Sequence, residues 1–166
     1  MTGAATTVAI IADTHMPRGQ RRLPDACVRR IRAADLLIHA GDFSSVAAYE
    51  EFAAIGPELV AVHGNVDEPA LRERLPERRV IELGGVEIGL IHDAGPARGR
   101  LTRMRRTFPG AAVVVFGHSH IPLHEREADF EIFNPGSPTE RRRAPRHTMG
   151  IAGCSRGRLA LRLVSL

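Results

Sequence analysis

Five apolar runs in this chain each end on a polar side chain able to bind a metal ion. Val8 to Ala12 leads into Asp13-Thr14-His15, Leu36 to Ala40 into Gly41-Asp42, and Leu59 to Val62 into Gly64-Asn65-Val66-Asp67. Ile88 to Ile91 leads into His92, and Val113 to Phe116 into Gly117-His118-Ser119-His120. Short apolar runs bounded by turn residues read as buried strands. In open α/β sheets, ligands bind outside the carboxyl ends of the strands. The repeated pattern therefore predicts strand ends that jointly build one site. The collected donors are two aspartates, one asparagine and four histidines, which suit divalent transition metals. Seven donors are too many for one four-coordinate ion and suit two ions sharing a bridging carboxylate.

Strand and helix patterns alternate through the first half, which argues for a layered α/β fold. Asp25 to Ala33 reads as a helix with Pro24 near its start, and Val46 to Ile55 as a helix capped by Ser44 or Ser45 and ended by Gly56-Pro57. Pro69 to Leu75 reads as a short helix. Arg79-Leu83 and Val86-Ile91 flank Gly84-Gly85, a two-residue hairpin signal. Arg98 to Thr107 reads as a helix with a basic face, stopped by Pro109-Gly110. A short strand near Glu131-Phe133, the turn Asn134-Pro135-Gly136-Ser137, and strands Thr148-Ala152 and Leu159-Leu163 complete the chain. Two mixed sheets packed face to face with helices outside would use every element, with residues 1–166 as a single domain.

No apolar run approaches the roughly 18 residues of a membrane span. Met1 to Thr7 lacks the basic region and long apolar stretch of a signal peptide, so a cytoplasmic chain is expected. Cys27, in a helix, and Cys154, in a hairpin turn, have no metal-site spacing and read as free thiols. The net charge is +4 and every basic side chain is Arg. The clusters Arg18-Arg22, Arg72-Arg79, Arg98-Arg106 and Arg141-Arg143 would either attract phosphate-bearing partners or be solvated surface. Aromatic residues make up only 4% of the chain, too few stacking platforms to favour nucleic acid as the partner.

Asp13 and His15 are one residue apart, so in an extended strand both would point to one ion. The same holds for His118 and His120, unless a turn sends them to different ions. Asp42 follows Gly41, which allows close backbone approach, and its two carboxylate oxygens can span two ions. Asn65 offers a neutral carbonyl oxygen. His39 and His63, each before a motif glycine, read as supporting or buried residues, and His124 and His147 as surface residues. Asp67 reads either as a partner of a ligand-bearing loop or an arginine, or as a turn residue.

Asp-x-His, Gly-Asp, Gly-Asn-x-Asp, a lone His and Gly-His-x-His, in that order, resemble the calcineurin-like metallophosphoesterases, and Asn134-Pro135-Gly136-Ser137 resembles a motif of their small YfcE-like phosphodiesterase branch. The resemblance spans Val8 to Ala152. It implies a four-layer αββα sandwich. It implies that Asp13, His15, Asp42 and His120 hold one divalent ion and Asp42, Asn65, His92 and His118 a second, with Asp42 as the bridge and Asn65 near a bound phosphate. Asp42, Asn65, His92 and His118 would be the catalytic residues. Manganese is the first choice of metal, with nickel, iron, cobalt or zinc as alternatives. The implied reaction is attack on a small, possibly nucleotide-like phosphodiester by a metal-bridging hydroxide. Two positions depart from the pattern. Many relatives carry His where this chain has Val66, so weak general-acid catalysis and a need for good leaving groups are expected. The branch usually shows His-Gly where this chain has His92-Asp93; Asp93 would fill the turn, bond a ligand His, or repel an anionic substrate. The alternatives are a nuclease and a non-catalytic scaffold, since a eukaryotic retromer subunit resembles the same branch. Scaffold-type relatives tend to lose ligands, whereas all seven positions here keep donors. Close relatives are often dimers or tetramers, so a homo-oligomer is a further expectation.

Overall fold

Apolar side chains occupy both faces of the first strand, so it needs cover on two sides. In the computed structural model, which describes residues 5–17, 19 and 21–166, Val8 and Ile10 pack into one core and Ala9 and Ile11 into another. The described residues form β1 (Thr6–Ile11), α1 (Asp25–Arg32), β2 (Leu36–His39), α2 (Val46–Ala53), β3 (Glu58–Ala61), α3 (Pro69–Arg74) and β4 (Arg78–Leu83). They continue with β5 (Val86–Ile91), α4 (Arg100–Thr107), β6 (Val113–Val115), β7 (Leu123–Glu127), β8 (Phe130–Asn134), β9 (Thr148–Ser155) and β10 (Arg158–Ser165).

Two five-stranded mixed sheets result, in the orders β10-β9-β1-β2-β3 and β4-β5-β6-β8-β7. Val8, Ile10, Ile38 and Val60 of the first sheet meet Ile88, Leu90, Val113, Val115 and Phe133 of the second. Behind the first sheet, Ala9, Ile11, Leu37 and Ala61 pack on Cys27 and Ile31 of α1, Phe52 of α2 and Leu71 of α3. Behind the second, Val114 and Ile132 pack on Met104 of α4 and on Phe108. The layers run helix, sheet, sheet, helix: a four-layer αββα sandwich. No helix among the described residues is long and apolar enough to cross a membrane.

Local chemistry explains the boundaries. Ser45 caps α2, its hydroxyl accepting from the Ala48 N–H at 3.1 Å. Pro69 occupies the first turn of α3, where a missing N–H costs nothing. Gly84 and Gly85 take φ of +55° and +82°, the left-handed pair that a tight β4–β5 hairpin requires. Two features differ from expectation. Leu123–Glu127 forms an edge strand, β7, whose exposed LHERE sequence has no apolar alternation to announce it. Cys154 lies within β9 rather than in the following turn, with its thiol donating to the Leu83 carbonyl at 3.1 Å.

The parallel strands run in register, Ile11 beside His39 and His39 beside Ala61 in one sheet, Leu90 beside Val115 and Val115 beside Phe133 in the other. Their carboxyl ends therefore finish together along one rim of the sandwich.

Candidate metal centre

Beyond that rim the backbone turns sharply. Asp13, His15, Asp42, His118 and His120 all have positive φ, between +45° and +70°. Left-handed backbone at non-glycine residues costs on the order of 1–3 kcal/mol each and collects at functional sites. The pleat argument for Asp13 and His15 therefore does not apply: β1 ends at Ile11, and turn geometry aims the two side chains. A short ladder fixes these turns, with the N–H groups of Asp13, His15 and Met16 donating to the carbonyls of Gly41, Asp42 and Phe43 at 2.9–3.0 Å.

The side chains converge in two overlapping groups, Asp13-His15-His120 and Asp13-Asp42-His92, all buried. His15 Nε2 lies 3.1 Å from His120 Nε2 and 3.7 Å from Asp42 Oδ2. His92 Nε2 lies 3.1 Å from Asp42 Oδ2 and 3.1 Å from Asn65 Oδ1. His118 Nδ1 reaches Asn65 Oδ1 at 3.1 Å, at the exposed mouth of the cleft. His118 and His120 thus diverge, the turn alternative of the sequence reading. Asp42 Oδ1 accepts the Val66 N–H at 3.0 Å, so a single oxygen, Oδ2, faces both imidazoles. Asp13 is also central: its Oδ1 is 3.7 Å from His120 Nε2 and 3.8 Å from His92 Nε2.

Hydrogen bonds set which imidazole nitrogen faces inward. His92 Nδ1 meets the Ala40 carbonyl at 2.8 Å and His120 Nδ1 meets the Glu140 carbonyl. A carbonyl only accepts, so each Nδ1 carries a proton and each Nε2 is the nitrogen turned to the cleft. Burial pushes Asp13 up to about 7, against the opposing pull of His92. Burial would hold His92 down, but the Asp42 hydrogen bond and the charges of Asp13 and Asp42 raise it to about 9. Burial would likewise raise Asp42, but the His92 bond and charge hold it at about 2. Burial lowers His120 to about 4. Asp13 Oδ2 is buried with no hydrogen-bond partner among the described residues. Inward-facing Nε2 atoms, an orphaned carboxylate oxygen and carboxylates whose charge holds a proton on His92, where a cation would replace it, all fit bound cations.

Several supporting residues hold this arrangement. Asp67 is buried and accepts from three backbone N–H groups: Gly64 at 2.7 Å, Asp42 at 3.1 Å and Ser44 at 2.7 Å. It clamps the Asp42 and Asn65 loops together, the first of the two roles its sequence allowed. His39 accepts the Gly41 N–H, faces Thr14 Oγ1 at 2.9 Å and stacks on Phe43, with burial holding it well below its usual value. The Asn134–Ser137 turn is a fastener: Ser137 Oγ donates to the Asp13 carbonyl at 2.8 Å and Asn134 Nδ2 to the Gly117 carbonyl at 2.9 Å. Asp93 Oδ1 accepts the Gly95 N–H at 2.7 Å, filling its turn, while Oδ2 stands 4.0 Å from His118 Nε2. Val66 is exposed at the mouth. Beside Asn65 and His92 lies a cavity of about 220 Å³, bordered also by His63, Arg72, Glu77 and Asp93.

The arginine clusters divide. Arg100 and Arg103 donate to the carbonyls of Ala94, Gly95 and Pro96, and Arg72 to those of Asp67 and Asn65. Arg142 reaches the His118 carbonyl at 3.5 Å on the rim of the cleft. Arg18 lies outside the described residues. One residue near the centre carried no signal in the sequence: Glu140, whose Oε2 is 3.7 Å from His15 Nε2.

A family model for the calcineurin-like phosphoesterase superfamily domain matches residues 7–157. A probable metallophosphoesterase of Methanothermobacter thermautotrophicus is 34% identical over 134 residues, covering 80% of this chain and 77% of that one. Among solved structures, vacuolar protein sorting 29 from Cryptosporidium parvum matches with a TM-score of 0.80 at 18% identity, over 98% of each chain. A novel archaeal phosphodiesterase matches with a TM-score of 0.70 at 20% identity, over 96% of this chain and 100% of that one. At these identities the two structures are likenesses of fold.

Proposed function

Since the chain belongs to the calcineurin-like phosphoesterase superfamily, we propose that it is a dinuclear-metal-dependent phosphodiesterase with the cleft at the strand rim as its active site. The observation that carries this reading is Asp42 Oδ2, which lies 3.7 Å from His15 Nε2 and 3.1 Å from His92 Nε2, so one carboxylate would be within reach of both sets of ligands. Asp13, His15, Asp42 and His120 would hold one ion and Asp42, Asn65, His92 and His118 the other, with manganese the first metal to try. Two such ions supply polarisation of the phosphoryl oxygens and a cleft water acidic enough to ionise near neutral pH.

The chain's own residues do the rest. Ala40 and Glu140 hold the His92 and His120 rings in one tautomer and orientation. Asn65 turns its amide oxygen to His92 and His118 and borders the cavity, which would take one arm of a substrate. Val66 has no proton to give a departing alkoxide, so the reading favours diesters with acidic leaving groups.

The test is hydrolysis of bis(p-nitrophenyl) phosphate beside p-nitrophenyl phosphate by metal-stripped protein resupplied with Mn, Ni, Co, Zn or Mg. Metal-dependent diester cleavage faster than monoester cleavage is the expected result. No cleavage with any metal, from folded protein that binds two ions, would overturn it in favour of a binding role for the same fold.

A further inference from the structure

Away from the cleft, a track of open surface runs between β4 and α4. The cavity beside Asn65 and His92 shares Glu77, Ile91 and Asp93 with a second cavity of about 430 Å³. That second cavity reaches Arg78, Arg103 and Thr107. Two further hollows continue from there, one bordered by Arg79 and Val80, the other by Thr102 and Arg106. Strand register fixes where the track begins: Arg78 of β4 pairs with Ile91 of β5, the residue before His92. Its charge follows from the sequence. Arg78 and Arg79 lie on an edge strand, and α4, RLTRMRRT, holds four arginines and no acid. Arg103 is engaged with the Ala94 and Pro96 carbonyls. Arg78, Arg79 and Arg106 are exposed and make no ion pair or side-chain hydrogen bond among the described residues.

Between the cleft and these guanidinium groups stand two carboxylates, Glu77 and Asp93, in the wall that the first two cavities share. Outward from the proposed ions the charge therefore runs positive, negative, positive. A chain in which phosphates alternate with uncharged sugars matches that order. Its scissile phosphate would sit at the ions, the next sugar beside the carboxylates, and the next phosphate at the arginines. We propose that the track from Asp93 to Arg78, Arg79 and Arg106 binds the backbone of a short single-stranded oligonucleotide and leads it into the cleft. The inference rests on the reading of the cleft as a phosphodiesterase site, and it names that site's substrate class. The shortage of aromatic side chains bears on base stacking alone. Arginines that hold phosphates carry affinity without reading sequence. Such affinity falls with salt, by about 0.7 in log K per log of salt concentration for each phosphate of a single strand.

The test has two arms. Fluorescence anisotropy of labelled hexathymidylate in EDTA reads binding with nothing cleaved. Mn²⁺-dependent turnover of hexathymidylate is then set beside that of bis(p-nitrophenyl) phosphate. Wild type is compared with the double variant Arg78→Ala/Arg106→Ala. The control is Arg29→Ala/Arg32→Ala, which removes the same charge from exposed positions of α1, behind the other sheet. The track variant should bind hexathymidylate about tenfold more weakly, with a salt slope smaller by about 1.4. Its kcat/KM for hexathymidylate, relative to that for bis(p-nitrophenyl) phosphate, should fall by a similar factor. The α1 variant should follow wild type. Equal losses in the two variants, or displacement by polyglutamate as readily as by unlabelled hexathymidylate, overturn the proposal. Cleavage of bis(p-nitrophenyl) phosphate by a protein that neither binds nor cleaves hexathymidylate removes this inference alone. Arginine-dependent binding without hydrolysis of any ester supports the track while the phosphodiesterase reading falls.

Discussion

Asp42 answers to several neighbours at once. Its Oδ1 accepts from Val66, its Oδ2 faces His92 and His15, and its own N–H is held by Asp67. Asp42→Asn preserves the shape but removes the charge that would offset the two proposed cations and that sustains the His92 bond. Even indirect supports of metal ligands are worth about 10–100-fold, so this variant should lose at least about a hundredfold in Mn-dependent turnover. Calorimetry should also show loss of one or both ions. Full turnover in purified Asp42→Asn would dismiss Asp42 as the bridge. Asp67 makes a separate demand on stability. Asp67→Ala strands three backbone N–H groups, and each buried donor left unpaired costs about 1–3 kcal/mol. With water reaching the Ser44 N–H, the two buried donors that remain make a loss of roughly 2–6 kcal/mol in chemical denaturation the expected result. A loss under about 0.5 kcal/mol would show that the two loops do not depend on this clamp. The motif residues could be recognised from the sequence because each follows a short apolar run, most of them with a glycine between. Glu140 and the triple role of Asp67 could not, because their partners are side chains and backbone groups brought near only by the turns.

At the level of elements, the glycines before Asp42 and Asn65 are packing devices as much as turns. A Cβ on Gly64 would lie 2.0 Å from Asp42 Oδ1 and 2.4 Å from the Asp42 nitrogen. The β2 and β3 loops approach so closely that no side chain fits between them. Gly64→Ala should therefore displace Asp42, lower ion affinity and destabilise the fold by the about 1–3 kcal/mol typical of overpacking. Gly153→Ala, on β9 where a Cβ meets nothing within 4 Å, is its control and should change neither property. Equal behaviour of the two variants would refute the close-approach argument. The same scale shows why one element escaped notice. The β4–β5 hairpin announces itself through Gly84-Gly85 and the buried strands through apolar runs. Edge strand β7 is exposed along Glu125, Arg126 and Glu127, and its pairing with β8 is carried by the backbone. Charge on such an edge discourages pairing with other chains, and it also erases the strand's sequence signal. Asp13 and His15 mark the other boundary of such reasoning: side-chain periodicity ends where β1 does.

Across the whole molecule, the two cysteines report on the layers. Cys27 belongs to the core between α1 and the first sheet, and Cys154 to the core between the sheets. Burial pushes the Cys27 thiol up to about 12 from the 9.0 of an ordinary thiol. Between those values the folded chain keeps a proton that the unfolded chain has lost, so this group's contribution to stability falls as pH rises through that window. Near pH 8, below both values, the folded thiol is protonated and enclosed, and only opening of the layers exposes it. A thiol reagent should thus modify both cysteines promptly in denaturant and slowly in the native protein. Ions bound at the strand rim stabilise the folded state alone, by about 2.7 kcal/mol per site at a hundredfold excess over Kd. For a domain of this size that is a rise in Tm of roughly 5–11 °C per site. Labelling that proceeds through global opening should slow by about a hundredfold per saturated site. Mn²⁺ that raises Tm while leaving Cys27 labelling unchanged would show that the α1 layer opens independently of the rim, and that the ions brace only the loops.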